Sequence, residues 1–307
     1  MSTIAFIFPG QGSQYVGMAR DFSAQSPESG AFIAEADRIL GAPLSSICFD
    51  GPEDMLRQTS NTQPAIYLHS MVAFRAISRL APTMVAGHSL GEYSALVAAE
   101  ALSFEDGLRL VRLRGSLMQQ AGEAQKGTMA AIVGLSPEVT EEVCREAREA
   151  GIVQPANFNS PGQIAISGSL EGVHKAMELA RARGAKLVKE LVVSGAFHSP
   201  LMQSAKDGLK AALDRTTIRD ARIPVYANVT AEPVRKASEI RDLLYQQLTS
   251  PVRWEQSVRN MVRDGAGVFY EIGPGKVLQG LVKRIAPDVQ TGGFDKWSEI
   301  VAAQGAA

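Results

Sequence analysis

The sequence predicts an α/β protein: a large domain built on a parallel sheet, with a small ferredoxin-like unit inserted into it. Three observations lead there. The apolar run Ile4 to Phe8 stops abruptly at Pro9-Gly10-Gln11-Gly12, the pattern of a strand buried on both faces that leaves its sheet in a tight loop. Thr83 to Gly87 is a second such run, and it passes through His88-Ser89-Leu90-Gly91 directly into a helix reaching about Glu100. From Gly127 onward the units shorten and follow the order β-α-β-β-α-β, which is the ferredoxin-like signature.

The remaining elements follow in chain order. Thr62-Gln63-Pro64 opens AIYLHSMVAFRAI, where apolar positions recur at helical spacing and Pro64 is expected in the first turn of a core helix. TMAAIVGL reads as a strand, Ser136-Pro137 opens a helix to about Ala150, and strands follow near Val153 to Phe158 and Ile164 to Ser167. Ser169 to Arg183 is a helix closed by Gly184, and KLVKELVV completes the small unit. The chain then returns to the large domain through an IPVYANV strand and a GVFYEIG strand before Gly273-Pro274-Gly275. The expected division is 1–124 with 195–307 as the large catalytic part and 125–194 as the small part, with a ligand cleft between them.

Composition excludes several classes. The 307 residues suffice for one large core, or a large one with a small companion. Apolar residues are 45%, charged residues 21%, and the formal net charge is -1, ordinary for a globular enzyme and without a field to attract nucleic acid. Cys48 and Cys144 lack metal-ligand spacing and read as core thiols. MSTIAFIFPG has no basic run followed by a long apolar stretch, and no apolar run is long enough to span a membrane. A cytoplasmic enzyme acting as a monomer, without metal, is the expectation.

Gly87-His88-Ser89-Leu90-Gly91 is G-x-S-x-G at a strand end and a helix start, the position of a nucleophile elbow in an α/β-hydrolase-like domain. Residues lacking a Cβ two positions either side relieve crowding in that strained turn, and the Leu90 amide can face a developing oxyanion. A serine hydroxyl needs a base, almost always histidine near neutral pH. Of four candidates, His88 adjoins Ser89, and His69 and His174 lie inside predicted helices; His198, in a loop of VSGAFHSPLM, is left by position and elimination. No third acid is apparent between them: Asp106 is the only aspartate there, and Glu92, Glu105 and Glu138 read as solvated helix faces. A neutral acceptor such as a main-chain carbonyl would then orient the imidazole.

In EDGLRLVRLRGSLMQQ only Arg114 has apolar neighbours throughout, namely Leu110, Val111, Leu117 and Met118 at helical spacing. A guanidinium there needs a partner, either a protein carboxylate or an acidic substrate. Gln11 in PGQGSQ could reach the elbow if its strand neighbours that of Ser89. The glycines at 10, 12 and 17 do not have dinucleotide-fingerprint spacing.

FPGQGSQ at 8–14, TQPA at 62–65, AGHSLGEYSAL at 86–96, NFNSPGQ at 157–163, GAFHS at 195–199 and EIGPGKVL at 271–278 together resemble malonyl-CoA:acyl carrier protein transacylases, over nearly the whole chain. The resemblance implies a malonyl transfer from coenzyme A to the phosphopantetheine thiol of a carrier protein, with no cofactor beyond the thioester. It implies Ser89 as the acylated nucleophile, His198 as base, and Gln11 with the Leu90 amide as the oxyanion site. Arg114 matches the malonyl-carboxylate arginine, the Gln247 carbonyl is expected to orient His198, and Phe197 resembles the malonyl-type form of its motif. Lys186 and Lys189, on the last strand of the small unit, are candidates for carrier docking and stand outside the site. Two rival readings are a serine esterase or thioesterase using the same elbow, and a binding module that kept the fold without chemistry.

Overall fold

The computed structural model describes residues 3–77 and 80–305. Its first sheet contains β1 (Thr3–Phe8), β2 (Met84–Gly87), β7 (Val225–Tyr226), β8 (Pro233–Val234), β9 (Ala266–Ile272) and β10 (Gln290–Phe294), in the spatial order β10-β9-β1-β2-β7-β8. All neighbours are parallel except β8, which returns antiparallel to β7 at the edge. Side chains alternate across this sheet. Phe6, Phe8 and Val85 enter the core shared with helix Thr59–Ala76, whereas Ala5, Ile7, Met84 and Ala86 enter a second core with Trp254, Val258 and Leu281. Helices therefore cover both faces, and β1 and β2 are apolar at consecutive positions because neither face meets water.

The second sheet holds β3 (Gly127–Val133), β4 (Val153–Ser160), β5 (Gln163–Ser169) and β6 (Leu187–Glu190), ordered β4-β5-β3-β6 and antiparallel throughout. Helices Pro137–Ala147 and Leu170–Ala182 pack on one face around Val143, Ile166 and Val173. Ser136 and Ser169 start them, each hydroxyl accepting an N–H from the first turn, Val139 and Gly172 respectively. From the other face Met129 and Ala165 join the main core. This is the ferredoxin-like arrangement that the β-α-β-β-α-β order predicts. It is stitched to the large sheet's side of the molecule where the Phe158 and Val252 amides bond to the Val252 and Ala156 carbonyls.

Two local expectations are corrected. Helix Thr59–Ala76 begins five residues before Pro64, which is therefore interior. A proline there cannot donate to the Ser60 carbonyl one turn back; Arg112 does so instead, at 2.6 Å. The IPVYANV run contributes only Val225 and Tyr226 as strand, because the chain turns at once, with the Ala231 amide bonding to the Ala227 carbonyl. Among the described residues no helix is long and apolar enough to cross a membrane. Cys48 and Cys144 are both buried thiols.

Candidate active site

β1 and β2 lie side by side with Phe8 level with Gly87, so the loop carrying Gln11 and the turn carrying Ser89 leave the same end of the sheet. Carboxyl ends of parallel strands are where such sheets bind ligands. Ser89 has φ 51, in the left-handed region, a conformation that costs of order 1–3 kcal/mol for a residue with a side chain. Its surroundings hold it there. Asn228 accepts the Ser89 N–H at 2.7 Å and donates to the Gly87 carbonyl at 2.6 Å, while the Gln247 side chain donates to the Ser89 carbonyl at 3.0 Å. The flanking glycines are required by close approach: a Cβ on Gly87 would lie 1.9 Å from the Gly91 carbonyl carbon, and one on Gly91 2.1 Å from the Phe8 oxygen.

Ser89 Oγ is 2.8 Å from His198 Nε2. On the far side of the ring, Nδ1 lies 2.9 Å from the Gln247 carbonyl and 3.2 Å from that of Ser250. Two carbonyls can only accept, so Nδ1 carries the proton and Nε2 presents its lone pair to the serine hydroxyl. Burial, reinforced by the nearby Arg114 charge, pushes the imidazole pKa down to about 3. The ring is therefore neutral around physiological pH, with a free lone pair on Nε2. His88 points away, with Nε2 2.9 Å from Asn159 Oδ1 and its ring beside Trp254. His69 is buried against the Asp295 carbonyl, and His174 meets Glu190 at the surface.

Arg114, from helix Phe104–Ala124, is fully buried. Nη1 donates to Gln63 Oε1 at 2.8 Å; Nη2 donates to Gln247 Oε1 at 2.9 Å and to Ser89 Oγ at 3.0 Å. All three acceptors are neutral, and Nε has no partner among the described residues. Of the two partners open to a buried guanidinium, no protein carboxylate among the described residues contacts it directly. The cavity in front of Ser89 has a volume of about 260 Å³, with Gln11, Leu90, Arg114, Phe197 and His198 in its wall and Met118 and Met129 on its apolar side. Gln11 is held by its Nε2 donating to Thr59 Oγ1 at 3.3 Å. The amides of Gly91 and Glu92 turn back onto the His88 and Ser89 carbonyls, and the Leu90 N–H has no acceptor among the described residues. Together these groups can deprotonate a hydroxyl, receive an oxyanion and pair with a carboxylate.

Glu92 is a correction to the sequence reading. It is only 3% exposed, not on a solvated face, because three residues beyond Ser89 the helix turns it beneath the elbow. Its Oε2 accepts the Asn228 N–H at 3.0 Å and Gln247 Nε2 at 2.9 Å. Asn228 and Gln63 were not singled out by sequence either. Asn228 stands in a loop directly after a strand, which was the available signal; Gln63 lies in the TQPA run near the start of its helix, a run that marked the family and not this residue's contact with Arg114. Among the described residues no cluster of His, Cys, Asp or Glu could hold a metal ion.

Residues 5–292 match the acyl transferase domain family. The malonyl CoA-acyl carrier protein transacylase of Bacillus subtilis (strain 168) is 47% identical over 294 residues, 95% of this chain and 93% of that one. Among solved structures, the malonyl CoA-acyl carrier protein transacylase of Coxiella burnetii superposes with a TM-score of 0.95 at 39% identity, covering 98% and 96% of the two chains. A malonyl-transacylase in complex with its type II PKS acyl-carrier protein matches over 100% of both chains, with a TM-score of 0.95 and 40% identity. With identity of this order over nearly its full length, the chain belongs to the acyl transferase family, among the malonyl CoA-acyl carrier protein transacylases.

Proposed function

We propose that this chain moves a malonyl group from malonyl-CoA to the phosphopantetheine thiol of an acyl carrier protein, by way of a Ser89 ester. The observation that carries the reading is Arg114: a buried guanidinium without a direct carboxylate, 3.0 Å from the hydroxyl that would attack. A dicarboxylic half-thioester supplies the missing anion, and its carboxylate on Arg114 places the thioester carbon over Ser89. His198 Nε2 takes the Ser89 proton as Oγ adds to that carbon. The tetrahedral oxyanion faces the Leu90 amide and the Gln11 loop. Collapse breaks the carbon–sulfur bond, and the His198 proton leaves with the coenzyme A thiol. The carrier thiol then runs the same steps in reverse, restoring the serine hydroxyl.

The reading extends to the whole chain. Every group named comes from this one chain, so the reading takes it as a monomer acting in the cytoplasm, and the chemistry draws on no cofactor beyond the thioester. Residues 125–194 serve as the small unit that closes the cavity over the large catalytic part, 1–124 and 195–307. Intact-protein mass after brief incubation with malonyl-CoA or acetyl-CoA tests this on the wild type and on Ser89→Ala. A malonyl adduct that exceeds the acetyl adduct and vanishes in Ser89→Ala is expected. Rapid coenzyme A release without any thiol acceptor would instead mark a thioesterase, and no adduct from folded protein a binding module.

A further inference from the structure

We infer that Glu92 is a positioning residue for the substrate-binding guanidinium: its carboxylate fixes which way the Gln247 amide faces, and Gln247 in turn aims Arg114 at the acyl carboxylate beside Ser89. The inference rests on the malonyl reading above. It begins with the amide's hydrogen-bond inventory. Both protons on Gln247 Nε2 are committed to acceptors, Glu92 Oε2 at 2.9 Å and the Ser89 carbonyl at 3.0 Å. That leaves Oε1 on the opposite side, where Arg114 Nη2 donates to it at 2.9 Å while also reaching Ser89 Oγ. Turning the amide over would set its NH2 against a guanidinium and its oxygen against a carboxylate, two repulsions inside a dry core.

An ionised Glu92, which can only accept, enforces the direction. A protonated carboxyl or a glutamine has a donor to offer and tolerates the reversed amide. The same carboxylate oxygen accepts the Asn228 N–H at 3.0 Å, and Asn228 holds the Ser89 amide, so the elbow and the guanidinium are referred to one anchor. Glu92 also answers how the Arg114 charge is balanced: a buried negative charge stands one neutral amide away. It lowers the cost of burying the guanidinium without occupying the face that a substrate carboxylate needs.

The charged or titratable groups acting on Glu92 are Arg114, across the Gln247 amide, and Tyr93 beside it on the same helix. Burial prevails over the N–H donors and the Arg114 charge and raises the Glu92 pKa to about 7, whereas His198 stays neutral down to about 3. An acid limb near neutrality in malonyl transfer therefore belongs to Glu92 and not to the base.

The test is acylation of Ser89 by malonyl-CoA and acetyl-CoA, read as kcat/KM across the neutral range, in wild type, Glu92→Gln and Gln247→Met. Wild type should lose malonyl transfer on the acid side with a midpoint near that of Glu92. Glu92→Gln should be lower by roughly tenfold at alkaline pH, the loss of about one charge-assisted bond, with the acid limb gone and acetyl transfer little changed. Gln247→Met keeps the main-chain carbonyl on His198 but cuts the same link, and it stands in if Glu92→Gln does not fold. An acid limb that persists in a folded variant overturns the inference. Absence of any malonyl adduct on the wild type would instead overturn the malonyl reading itself.

Discussion

At the scale of single residues, selectivity turns on Arg114. A charge-assisted pair with the acyl carboxylate exists only when the acyl group carries one, so its loss separates malonyl from acetyl transfer. Arg114→Ala should lower kcat/KM for malonyl-CoA by about 2–4 kcal/mol in transition-state terms and leave acetyl transfer comparatively unaffected. Steady-state kinetics with both thioesters reads this directly; equal losses would mean that the guanidinium supports Ser89 and does not bind the substrate. The variant also strands Gln63 Oε1 and Gln247 Oε1, which Arg114 now serves. Supplying free guanidinium should therefore recover malonyl transfer in preference to acetyl transfer.

At the scale of elements, the relation between sequence and structure depends on whether the cue is local. The elbow was legible because every requirement falls within five residues: a strand end, two glycines forced by contacts with Phe8 and with each other, and a helix start. The β-α-β-β-α-β unit was legible because serine caps and short periodic runs mark each boundary. β10 carries two glycines in five residues and packs Gly292 against the Tyr270 ring, so its signal lies in a partner strand and not in its own sequence. Glu92 and Asn228 escaped for the same reason, since what buries them arrives from residues 136 or more positions away. Pro64 is the clearest such case: local rules place it at a helix start, and in its interior position Arg112, from another helix, supplies the donor that the proline lacks. Arg112→Met removes the donor to the Ser60 carbonyl and to Asn61 Oδ1, and should destabilise the fold by about 1–2 kcal/mol. In a double-mutant cycle, Pro64→Ala should be less harmful in the Arg112→Met background than in wild type, because an alanine N–H can serve Ser60. Additive effects in denaturant unfolding would show that Arg112 acts elsewhere.

For the whole molecule, the buried titratable groups set opposing slopes of stability against pH. Burial lowers His69 to about 4 and His198 to about 3, and lowers His88 as well. The unfolded chain binds protons at these sites below about pH 6.5 while the folded chain does not, so stability is lost as pH falls. Glu92 and Glu271 are raised by burial to about 7, so the folded chain keeps protons that the unfolded chain has released above about pH 4.5, and stability declines as pH rises toward neutrality. Between about pH 4.5 and 6.5 the two sets oppose each other, giving a shallow plateau; below it the histidines act unopposed, joined by carboxylates held below their usual range such as Asp220 and Asp264, and the loss steepens, while above it Glu92 and Glu271 act until they are fully ionised. Glu271 makes this separable from catalysis. Its carboxylate accepts the Leu278 and Gln279 amides at the start of helix Val277–Ile285, away from the Ser89 network. A glutamine can still accept one of these but cannot titrate, so Glu271→Gln should flatten the decline on the neutral side of the plateau while the acid side stays as in wild type. Thermal midpoints across that pH range decide it: an unchanged neutral side in the variant would mean that the Glu271 carboxyl is already ionised well below neutrality, and that its two N–H donors outweigh its burial.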